Sequence, residues 1–137
     1  MSDQLDIVRQ LGSEFGLRYG FLYDTSSEVL KTFGDVEKLQ HPAIVRRLIA
    51  TPEDIRNLEA LLRSRPFPAT FTQGKTRSIL GLVDSKFVVG FFLDSDLSAK
   101  EHFEFAVRVH KEAVERLIGP KINQQGSPDG AQRNPEI

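Results

Sequence analysis

The chain has 137 residues, with 18 Lys and Arg against 19 Asp and Glu and a formal net charge of −1. That length suits one domain with a core of its own, and the near-neutral balance offers no basic platform for nucleic acid. The absence of cysteine removes disulfides, thiol chemistry and Cys-based zinc sites, and it suits a reducing, cytoplasmic setting. The first residues lack a basic stretch followed by an apolar run, and no apolar run is long enough to span a bilayer, so neither a signal peptide nor membrane insertion is expected.

In chain order, residues 2–15 read as a helix. Ser2 stands at its N-cap, Leu5, Val8, Leu11 and Phe15 recur at helical spacing, and Gly16 stops it. Residues 17–23 read as a strand with Leu17, Tyr19, Phe21 and Tyr23 on one face. Asp24-Thr25-Ser26-Ser27 is turn chemistry, and residues 28–33 return as the second strand of a hairpin closed by Gly34 and Asp35. Ile44, Val45, Leu48 and Ile49 mark a helical piece over residues 42–50. A second helix over 51–65 is better signed: Thr51 at the N-cap, Pro52 at the first helical position, Asp54 three residues after the cap. Its apolar stripe is Ile55, Leu58 and Leu62, with Leu61 beside it. Pro66-Phe67-Pro68 then forbids helix.

Three strands follow over 69–73, 76–84 and 86–94, joined by turns at Gln73-Gly74-Lys75 and Asp84-Ser85. The last is apolar on both faces, which marks a central strand. Ser98 and Glu101 form a capping box for a final helix with the stripe Phe103, Ala106, Val107, His110, Val114, Leu117 and Ile118, ended by Gly119 and Pro120. Residues 121–137, rich in Gly, Pro, Gln and Asn, are expected to be a disordered tail beyond a single domain of residues 1–120. The order α-β-β-α-β-β-β-α implies an α+β fold, a five-stranded antiparallel sheet with flanking helices.

Reactive chemistry finds little support. Gly74-Lys75-Thr76 has the letters of a phosphate loop, but position 69 is Ala and a strand follows where a helix N-terminus is needed, so the triplet reads as a hairpin turn. His102 and His110 are two helical turns apart, unlike an i, i+4 metal pair; His110 reads as a core-edge residue and His102 as an exposed one. Asp94, Ser95, Asp96, Ser98 and His102 contain the letters of a hydrolase triad without a nucleophile elbow, and strand-ending and capping roles account for them. Phe87, Phe91 and Phe92 read as core, whereas Phe33, Phe67 and Phe71 stand near a sheet edge as candidates for a protein-binding patch. No catalytic, cofactor-binding or metal-ligating residue is assigned. No cofactor is expected, and the chain does not read as an enzyme.

Two blocks carry a resemblance. One is the hairpin with Phe21-Leu22-Tyr23-Asp24, Val29-Leu30 and Phe33-Gly34-Asp35; the other runs from Phe71 through Arg77-Ser78-Ile79-Leu80 to Phe87 and Asp94, followed by the amphipathic last helix. Together they resemble the roadblock/dynein light chain family, and within it the bacterial roadblock-type regulators of Ras-like GTPases. The resemblance implies a profilin-like sheet and a non-enzymatic regulatory or scaffold module. It implies a homodimer in which the helix before the third strand, and that strand, meet their twins, and a small Ras-like GTPase or a related signalling or motility assembly as partner. Leu61, Phe67, Phe71 and Gln73 are then the candidate dimer-interface residues, against the alternative that they fill the monomer core. A small-molecule sensor of the GAF or PAS type is the second reading. It requires a polar-lined pocket between the sheet and residues 41–65.

Overall fold

A computed structural model describes residues 4–125, with side chains described through residue 119. Four helices and five strands follow in the order α1 (Gln4–Glu14), β1 (Tyr19–Asp24), β2 (Val29–Gly34), α2 (Ala43–Ile49), α3 (Pro52–Arg63), β3 (Thr72–Gln73), β4 (Thr76–Val83), β5 (Phe87–Asp94) and α4 (Ala99–Gln125). A 3₁₀ turn at Val36–Lys38, absent from the sequence reading, bridges β2 and α2. The strands form one antiparallel sheet ordered β2-β1-β5-β4-β3.

β5 sits at the centre, as its two-sided apolar pattern demands. Every residue from Phe87 to Leu93 is buried, and it pairs with β1 from Phe87 to Phe92 and with β4 along its whole length. Its alternate side chains feed two cores. On one face Val89, Phe91 and Leu93 meet Val8 and Leu11 of α1 and Ala106, Val109 and Ala113 of α4. On the other, Val88 and Phe92 meet Ile44 and Val45 of α2 and Ile55, Leu58 and Leu62 of α3. The molecule is therefore a three-layer sandwich. α3 starts where expected: Thr51 Oγ1 accepts from the Asp54 N–H at 3.1 Å, and the Asp54 carboxylate accepts from the Thr51 N–H at 3.1 Å. Ser98 and Glu101 make the same reciprocal pair before α4.

Several expectations are corrected. Leu17 precedes β1 and packs in the α1–α4 core, while Phe21 and Tyr23 face α2 and α3. Phe33 is not an exposed edge residue but is buried. Its ring lies where Gly12 and Gly20 lack a Cβ, and an added methyl would stand 2.6 Å and 2.3 Å from it, respectively. The buried stripe of α4 is His102, Ala106, Val109, Ala113 and Leu117; Phe103 is 43% exposed, and Val107, His110, Val114 and Ile118 are only partly buried. His102 is thus a core residue. α4 also continues through Gly119 and Pro120 to Gln125, because a proline removes one bond of the helical ladder and bends a helix more readily than it ends one. The expected N-cap at Ser2 and residues 126–137 of the expected tail lie outside the described residues.

Candidate interface at the β3 edge

β3 closes one end of the sheet and is short. The segment after Pro68 keeps a single antiparallel register against β4, from the Ala69–Leu80 bridge to the Thr72–Arg77 and Gln73–Thr76 pairs. Within it the Phe71 N–H donates to the Ser78 hydroxyl at 3.0 Å, while the Ser78 N–H donates to the Phe71 carbonyl at 2.9 Å. The hydroxyl has taken the amide that a regular ladder would use, so the expected strand 69–73 survives as a bridge plus two residues. Among the described residues no strand borders β3 on its outer side.

The candidate residues fall into two groups. Phe71 and Leu61, 37% and 38% exposed, line one shallow depression of about 220 Å³ with Leu48, Leu58 and Arg47 on the α2–α3 side. Phe67, 55% exposed, turns to the other face and packs edge-on against Phe103 of α4, ring centroids 5.9 Å apart. Gln73 lies on the edge strand, and its side-chain oxygen is buried without a hydrogen-bond donor among the described residues. Phe103 was missed as a surface residue because its helix position reads as core.

The strand ends are tied by an unforeseen polar clamp. The Asp94 carboxylate accepts from the Thr76 hydroxyl at 2.6 Å and from the Gln40 N–H at 3.1 Å, and the His41 N–H donates to Thr76 Oγ1 at 2.9 Å. This holds the segment before α2 against the start of β4, with the His41 ring over Gly74. The Gln73-Gly74-Lys75 triplet is the hairpin turn expected, with Gly74 at φ +59°, and Lys75 pairs with Asp96 at 3.1 Å on the open surface. A separation of 54 residues between Gln40 and Asp94 leaves no local sequence signal for the clamp.

Behind the edge, on the α4 face, His102 is 3% exposed and neither ring nitrogen has a hydrogen-bond partner among the described residues. Burial holds its pKa below the ordinary histidine value. The Ser78 backbone, short of hydrogen-bond geometry, opposes that shift and the Arg77 charge adds to it. His110, over Gly81 of β4, is lowered by burial alone. Among the described residues no group of three or more His, Asp or Glu is placed to hold a metal ion, and no helix is long and apolar enough to cross a membrane.

With sheet order and edge in hand, the fold is recognisable. It is the roadblock-type α+β fold. MglB of Myxococcus xanthus superposes with a TM-score of 0.59 at 14% identity, over 88% of this chain and 95% of that one. MglC of the same organism gives 0.51 at 14% identity, over 80% of this chain and 98% of that one. At these identities the likeness is one of fold. No family model matches the sequence, and no curated protein matches it. The sensor alternative is not favoured: the space between the sheet and α2–α3 is filled by Phe21, Tyr23, Phe92 and the apolar stripes of both helices.

Proposed function

We propose that this chain is a non-enzymatic, cytoplasmic regulatory module that pairs with a second copy through the β3 edge and the α3 face, and binds a small Ras-like GTPase or a related assembly. The observation that carries the reading is the β3 edge itself. An outer strand with open backbone groups invites pairing, and here it is flanked on the α3 side by two exposed apolar side chains, Leu61 and Phe71, that share one depression. A two-fold contact uses such a patch twice. Gln73, whose side-chain oxygen lacks a donor among the described residues, would find one across that axis. Phe67 belongs to the rim on the α4 side. The roadblock-type fold supports the partner class, and any effect on nucleotide hydrolysis would come from reshaping the GTPase, since no residue here is assigned a catalytic role. Residues 1–120 would form the working domain.

The test is solution mass by size-exclusion chromatography with light scattering on the full chain. The expected result is twice the mass of one chain, reduced to one by Phe71→Lys with the circular dichroism spectrum unchanged. A monomer at high concentration overturns the pairing. Separately, recovery of no Ras-like GTPase by the immobilised dimer, with GDP-loaded and GTP-analogue-loaded forms both offered, counts against the partner.

A further inference from the structure

Two aromatic rings stack at the β3 end of the molecule, on the face away from Leu61 and Phe71. Phe67 and Phe103 stay exposed although they pack edge to edge. Val107 and Val114 continue the patch along α4 at helical spacing, both half-buried, and His110 lies on the same flank against Gly81 of β4. This flank of α4 therefore turns toward β3. Among the described residues the other helix on this face, α1, lies on the far side of α4, against β1 and β2.

The floor beside that flank carries an unanswered charge. Arg77 lies two residues before Ile79 of the α4-side core and so shares its face; the exposed Thr72 stands opposite it on β3. Arg77 is half-buried, its Nε is buried without an acceptor, and its guanidinium makes no ion pair among the described residues. It lies beside His102 of α4, but the carboxylate next along that helix, Glu101, is taken by the Ser98 N–H at 3.0 Å.

We propose that in the dimer paired through β3 this flank is one wall of a trough that takes a single amphipathic helix of another protein, its apolar face on Phe67, Phe103 and Val107 of both copies and a carboxylate on Arg77. The inference rests on the pairing proposed above. An antiparallel two-fold pairing of β3 keeps both α4 helices on one face of the sheet. α4 lies over β4 and β5, where its buried stripe meets Ile79, Val83, Val89 and Phe91. Its axis is then about two strand spacings from the two-fold, and the two α4 axes are about 19 Å apart. Helices pack at about 8–10 Å, so the twin helices are too far apart to cover each other, and one helix midway touches both. A strand finds no backbone groups to bind there, because pairing has used those of β3, whereas a helix brings its own already satisfied. Residues 126–137 of the chain cannot fill the trough, since Ala131 and Ile137 are their only aliphatic side chains apart from proline. A second dimer presents the same concave surface, which does not fill this one. The uncompensated Arg77 selects a helix that carries Asp or Glu beside its apolar face.

The experiment is fluorescence anisotropy of the full chain with a labelled peptide, three repeats of Leu-Ala-Glu-Leu-Leu-Lys-Lys, alongside light scattering for the mass. Saturable binding at one peptide per two chains is expected, and none of a peptide of the same composition with its leucines spread around the helix. Phe103→Asp should weaken binding by about tenfold. Arg77→Gln should weaken it by about fivefold, and that loss should vanish when every Glu of the peptide is Gln. Phe71→Lys, which separates the copies, should abolish saturable binding. A dimer that binds no peptide, that binds one per chain, that takes the spread peptide equally, or that is indifferent to Phe103→Asp and Arg77→Gln overturns this inference and leaves the pairing standing. So does a mass of two dimers that Phe103→Asp halves, which would put a second dimer over the trough. A monomer at high concentration overturns both.

Discussion

At the residue scale, the tightest constraint is the slot that holds Phe33. Gly12 and Gly20 approach its ring from α1 and β1, and a Cβ at Gly20 would also meet the Gly90 carbonyl at 2.8 Å. The ring has nowhere to retreat, so Gly20→Ala is an overpacking change and should cost about 1–3 kcal/mol in urea unfolding; a loss within error would show that the slot has slack. The buried histidines carry the pH dependence. His102, lowered by burial first and by Arg77, and His110, lowered by burial, are both harder to protonate folded than unfolded. Above the ordinary histidine value both states are neutral and no stability is at stake. As pH falls through that value the unfolded chain takes up the protons first, so stability is lost until the folded-state values are passed. The urea midpoint should therefore drop between about pH 7.5 and about pH 5.5, and the drop should shrink in His102→Phe. An unchanged drop in that variant would place the effect elsewhere. The lowered carboxylates Glu14, Asp24 and Glu101 act in a more acidic range. The sequence misplaced His102 for a physical reason: α4 sets small Ala106 and Ala113 against the sheet, and a reading weighted by side-chain size follows Phe103 and Val107 onto the wrong face.

At the element scale, what was legible is what is local. The two-sided apolar run of β5, the capping boxes at Thr51 and Ser98, and the helix break before Pro52 are each written within a few residues, and the structure keeps all three. What was not legible depends on residues far apart. β3 is shortened by Ser78, seven positions from the amide it captures, and the Asp94 clamp joins three segments. That clamp gives a further prediction. Asp94→Ala removes the acceptor of the Thr76 hydroxyl and of the Gln40 N–H, bonds to a charged group in a part-buried site, and Thr76 is fully buried. The cost should be about 2–3 kcal/mol in urea, with faster amide exchange in residues 36–42, whose tether to the sheet is lost. Destabilisation without that local change would mean the carboxylate serves the strand end alone.

At the scale of the whole molecule, the sheet has one fully paired centre and two unlike ends, and hydrogen exchange should rank them. β5 is bonded on both sides and buried on both faces, so its amides open only with global unfolding; β2 and β3 each keep one open side and should exchange by local opening. Pairing of copies through β3 adds a second expectation that depends on concentration. On going from dilute to concentrated protein, amides at Thr72 and Gln73 and on the exposed face of α3 should gain protection, while Val29 to Gly34 should not. The gain stays at one end because β1, β5 and β4 lie between β3 and β2. Concentration-dependent protection of β2, or a β3 that stays open when the protein is concentrated, would break the assignment of self-pairing to the β3 edge.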